Sequence, residues 1–206
     1  MPSISIIGAG NMGTAIARLA AKGGAQVQVL APSLDAAAAA TPTGAAAATV
    51  GDPLTGQIVV FAVPYSAVAE IIASYGEQLS GKIIVDITNP VDYATFDSLV
   101  VPADSSAAQQ IAAAIPTGRV LKAFNTTFAG TLASGQIGGL PTTVLVAGDD
   151  QEAKNGLIAL VTAGGLAAMD AGSLKRAREL DALGFLQSTL AAAGKITWTG
   201  GFAVAK

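Results

Sequence analysis

Ser3-Ile4-Ser5-Ile6-Ile7-Gly8-Ala9-Gly10-Asn11-Met12-Gly13 stands near the start of the chain and decides its fold. The run from Ser3 to Gly8 reads as a short, isoleucine-rich strand that ends on glycine. From Asn11 to Lys22 the period changes. Met12, Ala15, Ile16 and Leu19 fall on one stripe of a helix, which Gly23-Gly24 stops. Between strand and helix the glycines are spaced Gly-x-Gly-x-x-Gly, and each has its own steric task. Gly8 permits a tight turn, Gly10 has no Cβ to hold a ligand off the backbone, and Gly13 lets the helix lie close to the strand. The first N–H groups of a helix lack internal acceptors and sit at the positive end of its dipole. Such a corner suits a pyrophosphate; a tight turn with no ligand is the competing reading.

Outward from this unit the chain keeps alternating. Further strands are expected at 26–31, 45–50, 57–63, 82–88, 119–124, 141–147 and 166–169, and helices at 35–40, 66–75, 105–115, 150–161 and 173–193. Ser66 is read as a helix cap, as is Asp149 or Asp150, and residues 91–104 as a loop with a helical turn. Leu174, Leu180, Leu183, Leu186 and Leu190 are expected to form the apolar face of the last helix. The runs at 57–63 and 82–88 are almost unbroken apolar segments, as in strands covered on both faces. The fold class that follows is α/β: a Rossmann-type, doubly wound, mostly parallel sheet with right-handed crossovers and a small helical C-terminal domain. The expected division is a dinucleotide-binding domain over residues 1–148 and a small α/β domain over 149–206 that closes the cleft.

Bulk composition removes several function classes. Of 206 residues, 51% are hydrophobic and 12% charged, but much of the excess is alanine, and no run reaches the ~20 apolar residues of a spanning helix. A net charge of −3 without a basic run argues against nucleic acid. No secretory signal is visible, so the cytoplasm is the expected location. Cysteine and histidine are absent, which removes thiol chemistry, most metal sites and every histidine-based proton relay. Any chemistry here must need little proton movement.

A dinucleotide's ribose is normally read about 20 residues beyond the glycines, where a carboxylate takes the free 2′-hydroxyl and a basic group the 2′-phosphate. This chain offers Ala31-Pro32-Ser33-Leu34-Asp35 there. Ser33 can bond either form. Asp35 is a ribose partner or the cap of the alanine-rich helix. Three further strand ends face the ligand edge of such a sheet: Ala62-Val63-Pro64, Thr88-Asn89-Pro90, and Asn125 with the residues after it. Asn89 and Asn125 either bond ligand or close turns, and Pro64 and Pro90 either stop strands or wall a ring.

Five motifs then occur in order: Gly8-Ala9-Gly10-Asn11-Met12-Gly13, Asp86-Ile87-Thr88-Asn89-Pro90, Lys122-Ala123-Phe124-Asn125-Thr126, Val146-Ala147-Gly148-Asp149-Asp150, and Asp170-Ala171-Gly172-Ser173-Leu174 followed by Ala177-Arg178-Glu179-Leu180. In this order the chain resembles the NADP oxidoreductases that depend on the deazaflavin coenzyme F420. The resemblance implies hydride transfer between the nicotinamide and the deazaflavin, both small-molecule cofactors acting as substrates. It implies NADP along Gly8, Ala9, Gly10, Asn11, Met12 and Gly13, along Ala31, Pro32 and Ser33, along Ala62, Val63 and Pro64, and along Thr88, Asn89 and Pro90. It implies the deazaflavin near Asn125, Thr127, Ala129 and the C-terminal region. Arg178 would anchor the last helix or a partner chain, and a homodimer is expected. No catalytic side chain is assigned, because hydride transfer asks for alignment to ~3–3.5 Å and exclusion of water.

Two departures stand out. The family usually carries Ser/Thr-Arg where this chain has Ala31-Pro32, and losing a bidentate guanidinium weakens the preference for NADP by roughly 1–3 kcal/mol. The choice between NADP and NAD stays open. Histidine is frequent in the family where Asn125 stands here. Two other functions compete: reduction of a small imine or ketone, for which the residues after Asp150 leave little pocket, and a dinucleotide-binding sensor without activity.

Overall fold

The structure is a computed structural model describing residues 1–205. Strands β1 (Ser3–Ile7), β2 (Gln26–Ala31), β3 (Ala46–Thr49), β4 (Ile58–Phe61), β5 (Ile83–Asp86) and β6 (Arg119–Ala123) are parallel neighbours in the order β3-β2-β1-β4-β5-β6. Helices α1 (Asn11–Lys22), α2 (Leu34–Ala40), α3 (Val68–Tyr75) and α4 (Ala107–Ala114) lie between them in the chain. This is the Rossmann strand order, whose ligand crevice lies where the order reverses, beside β1 and β4. After β6 come α5 (Ala129–Ser134), a small hairpin of β7 (Gln136–Ile137) and β8 (Leu140–Pro141), then β9 (Thr143–Gly148), which pairs antiparallel to β6. Helix α6 (Gln151–Ala163) crosses to β10 (Ala167–Gly172), parallel to β9, and α7 (Ala177–Ala192) follows.

The apolar strands are buried on both faces, and alternation sorts their side chains. Ile6, Val60 and Val85 pack on one side against Ile16, Leu157 and Leu160 of α1 and α6. Ile7, Phe61 and Ile84 pack on the other against Val68, Ile71 and Ile111 of α3 and α4. Two cores therefore clamp one sheet, and its carboxyl edge stays free.

Several expectations change. Strands β1, β4, β5 and β6 stop one or two residues early, because Gly8, Val63, Thr88 and Phe124 already lie outside the sheet at that edge, whereas β9 and β10 run one and three residues further than expected. Ser33, not Asp35, caps α2, accepting from the Ala36 N–H at 3.3 Å. Ser66 caps nothing: it lies inside a 3₁₀ turn, Tyr65–Ala67, that leads into α3. Asp150 caps α6, accepting from Ala153 N–H at 2.8 Å, while Asp149 accepts from Leu174 N–H at 2.9 Å. Residues 91–104 hold turns and one Val91–Leu99 bridge in place of a helical turn. The strand β10 extends the sheet beyond residue 148, so the sheet runs across the expected domain boundary.

The buried face of α7 keeps only part of the leucine stripe, Leu180 with Leu174 just before the helix. Leu180, Asp181, Gly184, Gln187 and Ala191 point inward at helical spacing, whereas Leu186 is exposed and Leu183 and Leu190 are half-buried. The reason is the surface that α7 meets, which is polar at the ends of β5 and β6. Among the described residues, no helix is long and apolar enough to cross a membrane.

Candidate functional site

At the glycine corner the backbone is close-packed behind and open in front. Gly8 has φ +121°, and a Cβ on it would strike the Ala62 carbonyl; one on Gly13 would strike the Gly8 carbonyl. Gly10 differs, because a Cβ there meets nothing within 4 Å. Its φ of −74° suits any residue, so neither packing nor conformation demands glycine at position 10. Gly10 caps α1 with no side-chain acceptor, and Thr14 N–H is the first to bond back, to the Gly10 carbonyl at 2.9 Å. The N–H groups of Asn11, Met12 and Gly13 at the start of α1 are left without helical acceptors, and the first turn carries no acidic residue. This donor set and the free space fit a pyrophosphate.

The next strand ends are finished in the opposite way. Lys122 on β6 is fully buried, with its ammonium 2.8 Å from Asp86 Oδ2 on β5 and 2.7 Å from Asp181 Oδ1 on α7. It also donates to the Thr88 carbonyl at 2.5 Å. Burial alone would push the Lys122 ammonium down, but the two carboxylates outweigh it and hold the pKa above the ordinary lysine value. Asp181 is pushed up by burial, against the pull of Lys122. The second Asp181 oxygen accepts from Ala107 N–H at 2.9 Å, so one carboxylate fastens α7 to the start of α4.

Beside this cluster Asn89 and Asn125 bond each other. Asn125 Nδ2 donates to Asn89 Oδ1 at 3.0 Å and to the Leu180 carbonyl at 2.8 Å, and Asn89 Nδ2 donates to the Asn125 carbonyl at 3.2 Å. The chain reaches that geometry through Phe124, buried in a left-handed conformation at φ +63°, a strain of order 1–3 kcal/mol. Gly184 makes room, since a Cβ there would strike Asn89 Oδ1. The Thr88 hydroxyl and Asn125 Oδ1 are buried with no hydrogen-bond partner.

Between the two finishes lies a cleft of about 440 Å³. Asn11 and Met12 border it from the corner, Ile87 and Asn89 from β5, Asn125, Thr127, Phe128, Ala129 and Gly130 from the segment after β6, and Ser188, Trp198 and Thr199 from the C-terminal side. Trp198 leans on Phe128 with centroids 4.9 Å apart at 59°. Among the described residues, no side chain in this lining is acidic or basic.

Of the residues singled out from the sequence, Asn11, Met12, Asn89, Asn125, Thr127 and Ala129 meet in the cleft. Gly8, Ala9, Gly10 and Gly13 form the adjoining corner. Ala62, Val63 and Pro64 follow β4 beside it, whereas Thr88 and Pro90 are buried. Ala31 is buried at the end of β2, and Pro32 and Ser33 are exposed there. Arg178 is exposed and joins no ion pair among the described residues, so anchoring of α7 within the chain falls to Asp181. Sequence reading missed Lys122 and Asp181 as partners, Gly184 as a spacer, and Ser188 and Trp198 as particular cleft walls, while Phe128 lies within the segment it marked, 125–129. A lysine inside the apolar strand Val120-Leu121-Lys122-Ala123 was the available signal, since a buried cation requires a partner.

The glycine-cornered sheet and the cleft at its switch point define a Rossmann-type protein of the nucleotide-binding class. Residues 3–90 match the family described as NADP oxidoreductase coenzyme F420-dependent. Metalloreductase STEAP3 of Rattus norvegicus is 29% identical over 182 residues, 88% of this chain and 36% of the relative. The F420-dependent NADP reductase of Methanocaldococcus jannaschii is 30% identical over 132 residues, 62% of this chain and 59% of that protein. The chain thus spans less than two thirds of either relative. A crystal structure from Arthrobacter sp. FB24, provisionally described as an F420-dependent NADP reductase, superposes with TM-score 0.84 at 27% identity, covering 98% of this chain and 99% of the other. An imine reductase from Streptomyces aurantiacus shares the fold, with TM-score 0.65 at 20% identity over 91% of this chain and 61% of that one.

Proposed function

We propose that this protein is a nicotinamide-dependent oxidoreductase that moves a hydride between NADP(H) and the deazaflavin coenzyme F420. The observation that carries the reading is the junction of the open Gly10 corner with a cleft whose lining has no ionisable side chain. When bound, the two coenzymes supply the chemistry themselves, a hydride passing between stacked rings. The protein binds, aligns and keeps water out. The amides of Asn11, Met12 and Gly13 hold the pyrophosphate, and Ala31, Pro32 and Ser33 flank the adenosine ribose. Ala62, Val63 and Pro64 together with Asn89 border the path of the nicotinamide. Phe128 and Trp198 give the second ring an aromatic wall, and the Asn89–Asn125 pair keeps the floor between the rings rigid.

Pro32 stands where the resemblance expects Arg, which weakens the preference for the 2′-phosphate by roughly 1–3 kcal/mol, so both NADP(H) and NAD(H) are to be tried. Reduction of an imine or ketone fits less well, because protonating nitrogen or oxygen calls for an acid that the cleft lining does not contain. The same reading places the protein in the cytoplasm. It assigns the uncovered Leu183, Leu186 and Leu190 face of α7 to a second copy of the chain, which light scattering on the purified protein tests.

The deciding experiment mixes purified protein with reduced nicotinamide coenzyme and oxidised F420. Loss of the deazaflavin's visible absorption band, in step with oxidation of the nicotinamide, is the expected result. No loss with either nicotinamide coenzyme overturns the proposal.

A further inference from the structure

The cation buried behind the cleft is linked to both members of the Asn89–Asn125 pair. Lys122 is fully buried and stands outside the cleft lining, whereas both asparagines border the cleft. Its ammonium has three protons and meets three oxygens, one each from Asp86, Asp181 and the Thr88 carbonyl. Two of these contacts end one residue short of the pair. The Thr88 carbonyl belongs to the peptide that joins Thr88 to Asn89, so the ammonium grips the backbone from which the Asn89 side chain springs. Asp86 grips Thr88 as well, its other oxygen accepting from the Thr88 N–H at 2.8 Å. On the far side, Asp181 follows Leu180, whose carbonyl accepts from Asn125 Nδ2 at 2.8 Å. Lys122 is also joined to Asn125 through the chain itself, three residues on and across the strained Phe124. An apolar side chain in this place would avoid the cost of burying charge, so packing alone does not call for an ammonium. What the charge adds is direction: it ties two strand ends and one helix to a single point.

We infer that Lys122 is a positioning residue for the hydride step: through Thr88 and Asp181 it sets the spacing of Asn89 and Asn125, and with it the alignment of the rings that the cleft receives. The inference rests on the proposed function and adds a residue that acts on the reaction without touching either coenzyme. Hydride transfer is sensitive to such support, because a misplacement of about 1 Å costs on the order of a hundredfold in rate. Binding is less sensitive, since the pyrophosphate is held at the other corner by the amides of Asn11, Met12 and Gly13.

The test uses the neutral variant Lys122→Met/Asp86→Asn/Asp181→Asn, the single variant Asp181→Asn, and Ile71→Ala as a control that opens the α3 core outside the cleft lining. The first readout needs no coenzyme. In isotope-labelled protein, the side-chain amide protons of Asn89 and Asn125 are expected to exchange with water at least tenfold faster in the neutral variant than in the wild type. The second is a single turnover at saturating NADPH and F420, with and without deuterium at the transferred position. The isotope-sensitive bleaching of F420 is expected to slow roughly ten- to hundredfold in the neutral variant, while calorimetric affinity for NADPH stays within about twofold. Asp181→Asn is expected to slow the same step several-fold, and Ile71→Ala to keep the wild-type rate despite its lower stability. A wild-type rate in the neutral variant, unchanged exchange of the two amides, lost NADPH affinity in place of lost rate, or equal slowing by Ile71→Ala overturns the inference and leaves the proposed function standing. Should the neutral variant not fold, a wild-type rate in Asp181→Asn overturns it. If the wild type bleaches no F420, the functional reading falls, and the inference falls with it.

Discussion

The corner after β1 and the corner after β5 lie at the same edge of one sheet, with only β4 between them, yet the chain finishes them differently. After β1 the turn carries three glycines, no side-chain cap, and backbone donors at the start of α1 beside space in which a methyl group at Gly10 would meet no atom. After β5 the edge is sealed by Lys122 between two carboxylates, by the Asn89–Asn125 pair, and by α7 drawn tight at Gly184. The first corner leaves backbone donors open at the start of α1. The second removes three charges from water to fix the wall across the cleft from it. The cleft therefore has one open side and one rigid side.

Breaking the sealed side should have the largest effect. Lys122→Met leaves Asp86 and Asp181 buried without a counter-charge and should lower unfolding free energy by about 3–5 kcal/mol in urea denaturation. Adding Asp86→Asn and Asp181→Asn to it should return much of that loss; failure to do so would mean the lysine acts through packing alone. Gly184→Ala comes next. At an exposed helix position this change is worth up to ~1 kcal/mol in favour of folding. Here it should cost ~1–3 kcal/mol, because α7 must back away from Asn89. A thermal shift upward would contradict the tight seal.

The third test is alkaline. The pKa of Lys122 is higher in the folded protein than its ordinary 10.5, so its stabilisation is complete below that value and drains as pH rises through the folded one. Denaturation midpoints in a pH series should therefore fall on the alkaline side, and the fall should vanish in the Lys122→Met, Asp86→Asn, Asp181→Asn variant. Smallest is Thr88→Val. The buried hydroxyl has no partner, so its removal should leave stability within ~0.5 kcal/mol or raise it.

The two corners also differ in how far the sequence announces them. The glycine corner is local: its three steric demands fall within six residues, and spacing alone exposes them. The sealed corner joins Asp86, Lys122 and Asp181 from two strands and a helix, and no local pattern links residues 95 positions apart. Helix α7 was legible as a helix but not in its orientation. Leucine spacing favoured a face of Leu174, Leu180, Leu183, Leu186 and Leu190, of which Leu174 and Leu180 are buried, whereas the polar surface at the ends of β5 and β6 turned Asp181, Gly184 and Gln187 inward in place of the rest. The mostly parallel character of the sheet followed from the alternation and the corner. The antiparallel return at β9 did not, because a hairpin between α5 and β9 reverses the chain without leaving a strong turn signal beyond Gly138-Gly139.

The account rests most directly on the open corner, and Gly10→Val tests it. Calorimetric titration of wild type and variant with NADPH and with NADH, beside their melting curves, separates ligand from fold. Melting temperatures are expected to agree within a degree or two, because a Cβ at position 10 has no protein atom within 4 Å, and binding is expected to be at least tenfold weaker in the variant. Undiminished binding by Gly10→Val, or no binding of either dinucleotide by the wild type, would contradict it.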